Sequence, residues 1–457
     1  MKILHTSDWH LGRTLHRADL TPAFEMWVDH VVDTVRERGV DALLISGDVY
    51  DRSVPPAPMV ELFSRTLRRL AQLTTVILIS GNHDSPQRLG FGAELFQERI
   101  VIRTDPLRCA QPVEVRDRAG NLGALVYPIP YLDPDVERRR LAGSAAHAGC
   151  ADNADHADHA GHAGHAGNAG HDGADNADRV DPAARVGHAD GTDGTELLER
   201  SHAAVMRAAL ERIAADIQHG PHAGKPLARI AMAHAFVAGG AASESERDIS
   251  VGGVEVVPAA LFALGGAGAS ATAGLSYVAL GHLHSPQRVG GAPEPGTSEA
   301  SGLPPMRYSG SPIAFSFSET RPKSSVLLTF EGGALVEEEL IPAPVWRPIV
   351  TIEAPLAEVL SSAHRDDRGK FARILVTDSA RPADLTTRVR AAFPHALEIR
   401  HVVDPAATRH STADTRRLDA LSVLRQFMTE SGHRDLTEEE NQVMVAAWEA
   451  VRTGEKE

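Results

Sequence analysis

Cysteine is nearly absent from this chain: 457 residues carry two, Cys109 and Cys150. Two cannot build a disulfide framework. Neither belongs to a C-x-x-C pair, which argues against structural zinc and dithiol chemistry. Long apolar runs are missing as well. The opening Met1-Lys2-Ile3-Leu4 is too short for a signal peptide, and no stretch approaches the ~20 apolar residues that span a bilayer. A soluble, cytoplasmic protein without a membrane partner is expected. No G-x-x-x-x-G-K-[ST] loop occurs, so any ATP must be hydrolysed by a partner. Positive charge is also short, with 46 Lys+Arg against 61 Asp+Glu and a formal charge of −15. That is the wrong sign for an ordinary nucleic-acid surface. Nine aspartates against two arginines in residues 143–194 supply −7 of it and leave −8 elsewhere. Carboxylates that hold cations also count as negative here, although a bound cation inverts the local field. Net charge therefore leaves the substrate undecided.

What is present is a set of abrupt strand endings. Residues 76–84 read VILISGNHD, a buried apolar run that stops in Gly-Asn-His-Asp. Open α/β sheets place their chemistry at such carboxyl ends. Similar endings are Asp8-Trp9-His10, Gly47-Asp48 and Gly281-His282-Leu283-His284, and His234 closes a fifth run at 230–233. Extended backbone at residues 8–10 would put Asp8 and His10 on one side.

Between these endings lie helical patterns. Phe24, Trp27, Val28, Val31, Val32 and Val35 repeat at helical spacing after Thr21 as N-cap and Pro22 at the first helical position, and Gly39 ends the helix. Further helices are expected at 59–70, 94–102 and from residue 196, with a strand within 113–128. Alternating strands and helices predict an α/β layer with parallel strands. Residues 143–194, rich in Ala, Gly, Asp and His, hold almost no large apolar residue and cannot offset their ordering entropy. They read as a disordered insertion, with a histidine-rich metal store as the alternative. Beyond a proline-rich linker at 342–348, strand, helix and strand are expected at 371–376, 382–393 and 397–402. Two helical patches follow, at 418–428 and 438–451, the second with Thr437 and Glu440 as a capping box.

Asp8, His10, Asp48, Asn82, His234, His282 and His284 form a mixed oxygen and nitrogen set without thiolate. Such a set suits manganese, iron or zinc in an open hydrolytic site. Seven candidates suffice for two ions bridged by one carboxylate, an arrangement matched to in-line displacement at phosphorus. His83 is left as general acid or charge stabiliser, with Asp84 to orient it. Arg13, Arg17, Arg52 and Arg88 follow the motifs closely and are candidates for holding DNA phosphates.

The order Asp-x-His, Gly-Asp, Gly-Asn-His-Asp, Gly-His-Leu-His resembles the calcineurin-like metallophosphoesterases. SDWHLGR, GDVYDRSVPP, YPIPYLDP, YVALGHLHSPQ and YSGSPIAFSFSE are similar to the SbcD family, nuclease subunits of bacterial SbcC–SbcD repair complexes. The resemblance runs from Met1 to about residue 348, apart from the low-complexity segments, and more loosely to the end. It implies an α/β fold of two packed β-sheets flanked by helices in a nuclease domain at 1–342. A small α+β DNA-capping domain at 343–405 and a helical SbcC-binding tail at 406–457 would follow. It further implies one ion on Asp8, His10, Asp48 and His284 and a second on Asp48, Asn82, His234 and His282. Manganese is the family's preferred metal, with magnesium as a second option, and His83 matches its catalytic histidine. The implied activity is exonuclease on double-stranded DNA ends and endonuclease on hairpins and single strands, with the ATPase SbcC as partner. Homodimerisation is implied through residues 59–70 and 88–96. A generic phosphodiesterase or phosphatase of the same superfamily, acting on a smaller substrate, is the alternative.

Overall fold

The computed structural model describes residues 1–96, 99–143, 197–242, 256–264, 274–290, 302–402 and 436–454, together with 422, 424, 425, 427 and 428. The expected insertion at 143–194 and most of the expected helix at 418–428 lie outside the described residues.

Two six-stranded sheets carry the chemistry. The first runs in the order Ala334–Pro342, Ser324–Glu331, Lys2–Thr6, Ala42–Ser46, Thr75–Ile79, Ile100–Arg103. Its last four strands are mutually parallel, whereas Ser324–Glu331 runs antiparallel to both its neighbours. The second runs Gln287–Arg288, Met306–Tyr308, Tyr277–Gly281, Ala228–His234, Leu122–Ile129, Val113–Arg116, with its four central strands parallel.

Apolar residues fill both faces of the central strands, so the run Ala42–Ser46 is buried at every position. Parallel strands covered on both sides show that composition. Alternate side chains then sort into layers. Ile3, Leu44, Ile77 and Ile79 meet Val126, Ile230, Met232 and Ala279 between the two sheets. Leu4, Leu43, Ile45, Val76 and Leu78 face outward and pack with Phe24, Trp27, Val31, Leu62 and Leu67 of the helices Thr21–Arg38 and Ala57–Ala71. On the far side Leu125, Tyr127, Ala231 and Leu280 pack on Val205, Leu210 and Ile213 of helix His202–His219. The result is helix, sheet, sheet, helix. Each fully buried Leu, Ile, Val or Phe adds roughly 1.5–3 kcal/mol, which makes the inter-sheet layer the rigid floor of the site.

Helix Thr21–Arg38 ends at Gly39 in the left-handed conformation, φ 68°, with its N–H returned to the Val35 carbonyl. Thr21 is the first helical residue and not the cap, since Leu20 occupies that position. The described residues of the helix expected at 94–102 are not α-helical. A short 3-10 turn Ala93–Leu95 precedes the edge strand Ile100–Arg103, which pairs with Thr75–Ile79. Residues 113–128 form two strands of a hairpin.

Residues beyond 348 fold into a parallel three-stranded sheet, Ile349–Ala354, Phe371–Val376 and Ala396–His401, with helix Leu385–Ala392. Ile352, Ile374, Val376, Val389 and Phe393 give it a core of its own. It leans on the larger body through Arg373, stacked over Phe317 at 4.9 Å, and through Glu398, which faces His16 at 3.8 Å. A cavity of about 340 Å³ between the two is lined by Leu20, Lys323, Trp346, Ile349 and Phe371. Helix Glu438–Gly454 starts with the expected capping box. The Thr437 hydroxyl accepts from the Glu440 N–H at 3.3 Å, and the Glu440 carboxylate accepts from the Thr437 N–H at 2.9 Å.

Candidate metal centre

The carboxyl ends of five parallel strands converge where the two sheets meet. Lys2–Thr6 delivers Asp8 and His10, Ala42–Ser46 delivers Asp48, and Thr75–Ile79 delivers Asn82, His83 and Asp84. From the second sheet, Ala228–His234 ends in His234 itself and Tyr277–Gly281 leads to His282 and His284. All but Asn82 are buried.

Asp8 and His10 share a side for a different reason from the one their spacing suggests. Both take left-handed backbone, φ 54° and 43°, as do Asp48 at 50° and His282 at 109°. Non-glycine residues rarely adopt that region, and such strain gathers at functional sites. Trp9 is the anchor between the first two. Its ring sits edge-on to Trp27 and Phe63, and its indole N–H donates to the Thr6 hydroxyl at 3.1 Å. Backbone bonds from Asp8 to Gly47 and from His10 to Asp48, both 3.0 Å, tie the two loops together.

Glycines permit the approach of the sheets. A Cβ on Gly281 would stand 1.9 Å from the Ser46 carbonyl oxygen, and one on Gly81 would stand 2.1 Å from Asp48 Oδ1. Only a residue without a side chain fits either position.

The polar atoms fall into two overlapping groups around Asp48. His10 Nε2 lies 3.0 Å from His284 Nε2 and 3.5 Å from Asp48 Oδ2. Asp8, His10 and His284 each offer a ligand atom within 4.8 Å of the others. On the other side His234 Nε2 lies 3.4 Å from Asp48 Oδ2 and 2.9 Å from Asn82 Oδ1, and His282 Nδ1 is 3.3 Å from that same Asn82 oxygen. Buried imidazole nitrogens and carboxylate oxygens aimed at common points fit a divalent cation.

Protonation preferences are strongly perturbed. Burial opposes ionisation of Asp48, yet the facing His234, then His10 and His83, hold its carboxyl well below the usual range. Burial raises Asp8 to about 6. Burial also lowers His282 to about 3 and His10 well below the ordinary imidazole value. His234 goes the other way, to about 9, because Asp48 outweighs its desolvation.

His83 is buried beside this set. Its backbone N–H donates to Asp48 Oδ1 at 2.9 Å, and its Nε2 is 3.9 Å from Asp48 Oδ2. Nδ1 lies 2.8 Å from the Asp51 carbonyl oxygen. A carbonyl only accepts, so the proton sits on Nδ1 and Nε2 faces the centre. The Asp84 carboxylate accepts from the backbone N–H groups of Val49, Tyr50 and Gly81 at 3.0–3.1 Å, stitching one ligand loop to the other. Asp51 went unnoticed in the sequence, although it stands near His10 Nδ1, Arg13 and Arg52 at 3.5–3.8 Å. Its signal was a charged residue three beyond Asp48 in a run that had to turn back to the site.

Arg13, Arg52 and Arg88 lie around that same 51–53 loop. Arg13 stacks over Phe315 at 5.0 Å, and Arg88 donates to the Ser53 carbonyl at 2.7 Å. Arg17 is exposed on the turn of a separate small ribbon, with φ 71°.

Comparison with known proteins agrees with this architecture. The family described as calcineurin-like phosphoesterase matches residues 1–191. Residues 1–191 thus carry a calcineurin-like phosphoesterase domain, which supports an enzyme that hydrolyses phosphodiester bonds. Residues 345–431 match a second family, described as the type 5 capsule protein repressor C-terminal domain. The SbcD component of the SbcCD nuclease of Bacillus subtilis (strain 168) is 28% identical over 424 residues, 88% of this chain and 86% of that protein. Its counterpart in the SbcCD nuclease of Escherichia coli (strain K12) is 26% identical over 363 residues, 79% of this chain and 72% of that protein. The likeness thus spans both the phosphoesterase body and the unit beyond it.

Proposed function

We propose that this phosphoesterase is a manganese-dependent DNA nuclease, the cutting component of an SbcC–SbcD-type repair machine. The observation that carries the reading is Asp48, whose carboxylate lies between one group of Asp8, His10 and His284 and another of Asn82, His234 and His282. In this reading Asp48 would help to hold two cations, and each group would supply the remaining ligands of one. Bound there, a divalent pair supplies hydroxide near neutral pH and neutralises charge developing on the phosphoryl oxygens. Magnesium is the alternative occupant.

His83 presents Nε2 toward the reacting phosphate, with its orientation held by the Asp51 carbonyl at Nδ1. Protonated at Nε2, it donates to the leaving oxygen of the cut strand. Arg13, Arg52 and Arg88 bind flanking phosphates and fix the strand's register, and Arg17 extends the track toward the unit beyond residue 348. Positioning of the strand supplies specificity for double-strand ends, cut 3′ to 5′, and for hairpins and single strands.

The unit at 343–405 caps the DNA, and the tail at 406–457, including helix Glu438–Gly454, docks on an SbcC-like ATPase. Homodimerisation uses residues 59–70 and 88–96, where Val60, Phe91 and Leu95 are exposed apolar residues. Exposed apolar residues of that kind favour association. The setting is the cytoplasm, close to the nucleoid.

The test is nuclease activity of the purified chain on linear duplex, hairpin and single-stranded DNA. Manganese, magnesium and EDTA are compared, with His83→Ala and a small phosphodiester as controls. Manganese-dependent cutting that EDTA abolishes, and that falls ~10²–10⁴-fold in His83→Ala, is expected. Turnover of the small ester with DNA left intact, even with SbcC and ATP added, would overturn the nuclease reading.

A further inference from the structure

The histidines of the centre differ in what stands behind them. His234 turns Nδ1 to a neutral group, the Ser46 carbonyl, at 2.9 Å. His284 turns Nδ1 toward a charged one, with Oε1 of Glu319 at 3.7 Å. The Glu319 side chain is completely enclosed. Lys323, four residues further along the chain and itself buried, pairs with Glu319 Oε2. The same ammonium donates to the His284 carbonyl at 2.8 Å and to the Ser311 hydroxyl at 2.9 Å. The Ser311 N–H adds a bond to that His284 carbonyl at 3.1 Å, and the Phe315 N–H donates to Glu319 Oε1 at 3.3 Å. One buried ion pair therefore grips His284 at both its ring and its backbone.

Apolar residues of similar volume often replace a buried ion pair without loss of stability, because desolvation offsets most of the attraction. A pair placed this deep, with one member against the ring and the other against the backbone of a single histidine, has a geometry that packing alone does not require.

We infer that Glu319, paired with Lys323, is a positioning residue for His284. A carboxylate accepts and cannot donate, so it retains the proton on Nδ1. That leaves the Nε2 lone pair directed at His10 and Asp8, and the negative charge behind the ring makes Nε2 a stronger donor to a divalent cation. The inference deepens the metal reading above and rests on it. Of the two cation groups, the one containing His284 depends on Glu319. The one built from Asn82, His234 and His282 does not.

The experiment is a titration of the metal-stripped full chain with manganese alone, reading free Mn²⁺ by electron paramagnetic resonance. Wild type is compared with Glu319→Gln and with the double variant Glu319→Gln/Lys323→Met, which leaves no unpaired buried charge. Circular dichroism checks each fold. Wild type should take up two ions. Each folded variant should keep one at wild-type affinity and bind the other ~10–100-fold more weakly. Two ions at unchanged affinity in a folded variant would overturn the role of Glu319 and leave the metal reading standing. Equal weakening of both ions, with the fold intact, would overturn it too, as general support of the centre. No uptake by wild type would sink the metal reading itself.

Discussion

Alanine at Gly281 puts a single methyl group where the two sheets touch. Its Cβ would stand 1.9 Å from the Ser46 carbonyl oxygen and 2.9 Å from His234 Nδ1. Carbon contacts are most favourable near ~3.5 Å, so the clash runs to about 1.5 Å. Neither neighbour yields easily, since Ser46 ends a central strand paired on both sides and its carbonyl is the acceptor that orients His234. The sheets must part, or the Ser46 carbonyl must rotate away. Overpacking of this kind costs about 1–3 kcal/mol, tolerable for a body with three large buried clusters. The effect on chemistry is larger, because ~1 Å of misplacement can cost ~100-fold in rate. Gly369, with no heavy atom within 4 Å of its would-be Cβ, provides the control. Urea unfolding and manganese-dependent turnover of a chromogenic phosphodiester would be measured on both. Gly281→Ala should stay folded and lose about two orders of magnitude in turnover, and Gly369→Ala should stay within ~0.5 kcal/mol and fully active. A Gly281→Ala protein that matches Gly369→Ala in both assays would refute the close-approach reasoning.

Three other outcomes are expected. Asp84→Ala strips the acceptor from three buried N–H groups, at ~1–3 kcal/mol each, so its urea midpoint should fall far more than that of Asp84→Asn; equal midpoints would count against the stitching role. Burial, reinforced by Arg307, holds His5 at about 3, although a bond with Leu280 opposes it. The unfolded chain then binds a proton that the folded chain refuses. Stability is whole above pH ~6.5 and falls by up to ~1.4 kcal/mol per pH unit as the pH drops toward 3. His5→Gln should flatten that slope in urea titrations, and an unchanged slope would refute it. Burial also raises the Cys109 thiol to about 11, so in a Cys150→Ser background iodoacetamide at pH ~8 should label Cys109 only after denaturation. Mass spectrometry showing native labelling at the denatured rate would contradict the buried thiol argument.

Much of the fold was legible because its strands are buried on both faces and stop abruptly. Apolar runs ending in Gly-Asp, Gly-Asn-His-Asp and Gly-His-Leu-His marked where the side chains now lie together. Their division into two separate sheets came only from the family resemblance, since pairing such as Gly281 with His234 is non-local and leaves no periodic signature. Residues 94–102 suggested a helix from composition, but residues 100–103 pair with Val76–Ile79 as the edge strand of the first sheet. Asp84 beside His83 suggested contact by adjacency. The chain turns there, and the Asp84 carboxylate accepts from Val49, Tyr50 and Gly81 while His83 Nδ1 faces the Asp51 carbonyl. Glu319 closes the YSGSPIAFSFSE stretch, but nothing local in the sequence announces that folding encloses it with Lys323.

The left-handed backbone at Asp8, His10, Asp48 and His282 also bears on the design of inert variants. Asn and Gly tolerate that conformation, whereas Val, Ile and Thr resist it. Alanine scanning at these positions mixes loss of a ligand with backbone strain. Asp48→Asn, Asp8→Asn and His282→Asn remove charge or imidazole while sparing the main chain. They are the cleaner reagents for trapping an uncut complex.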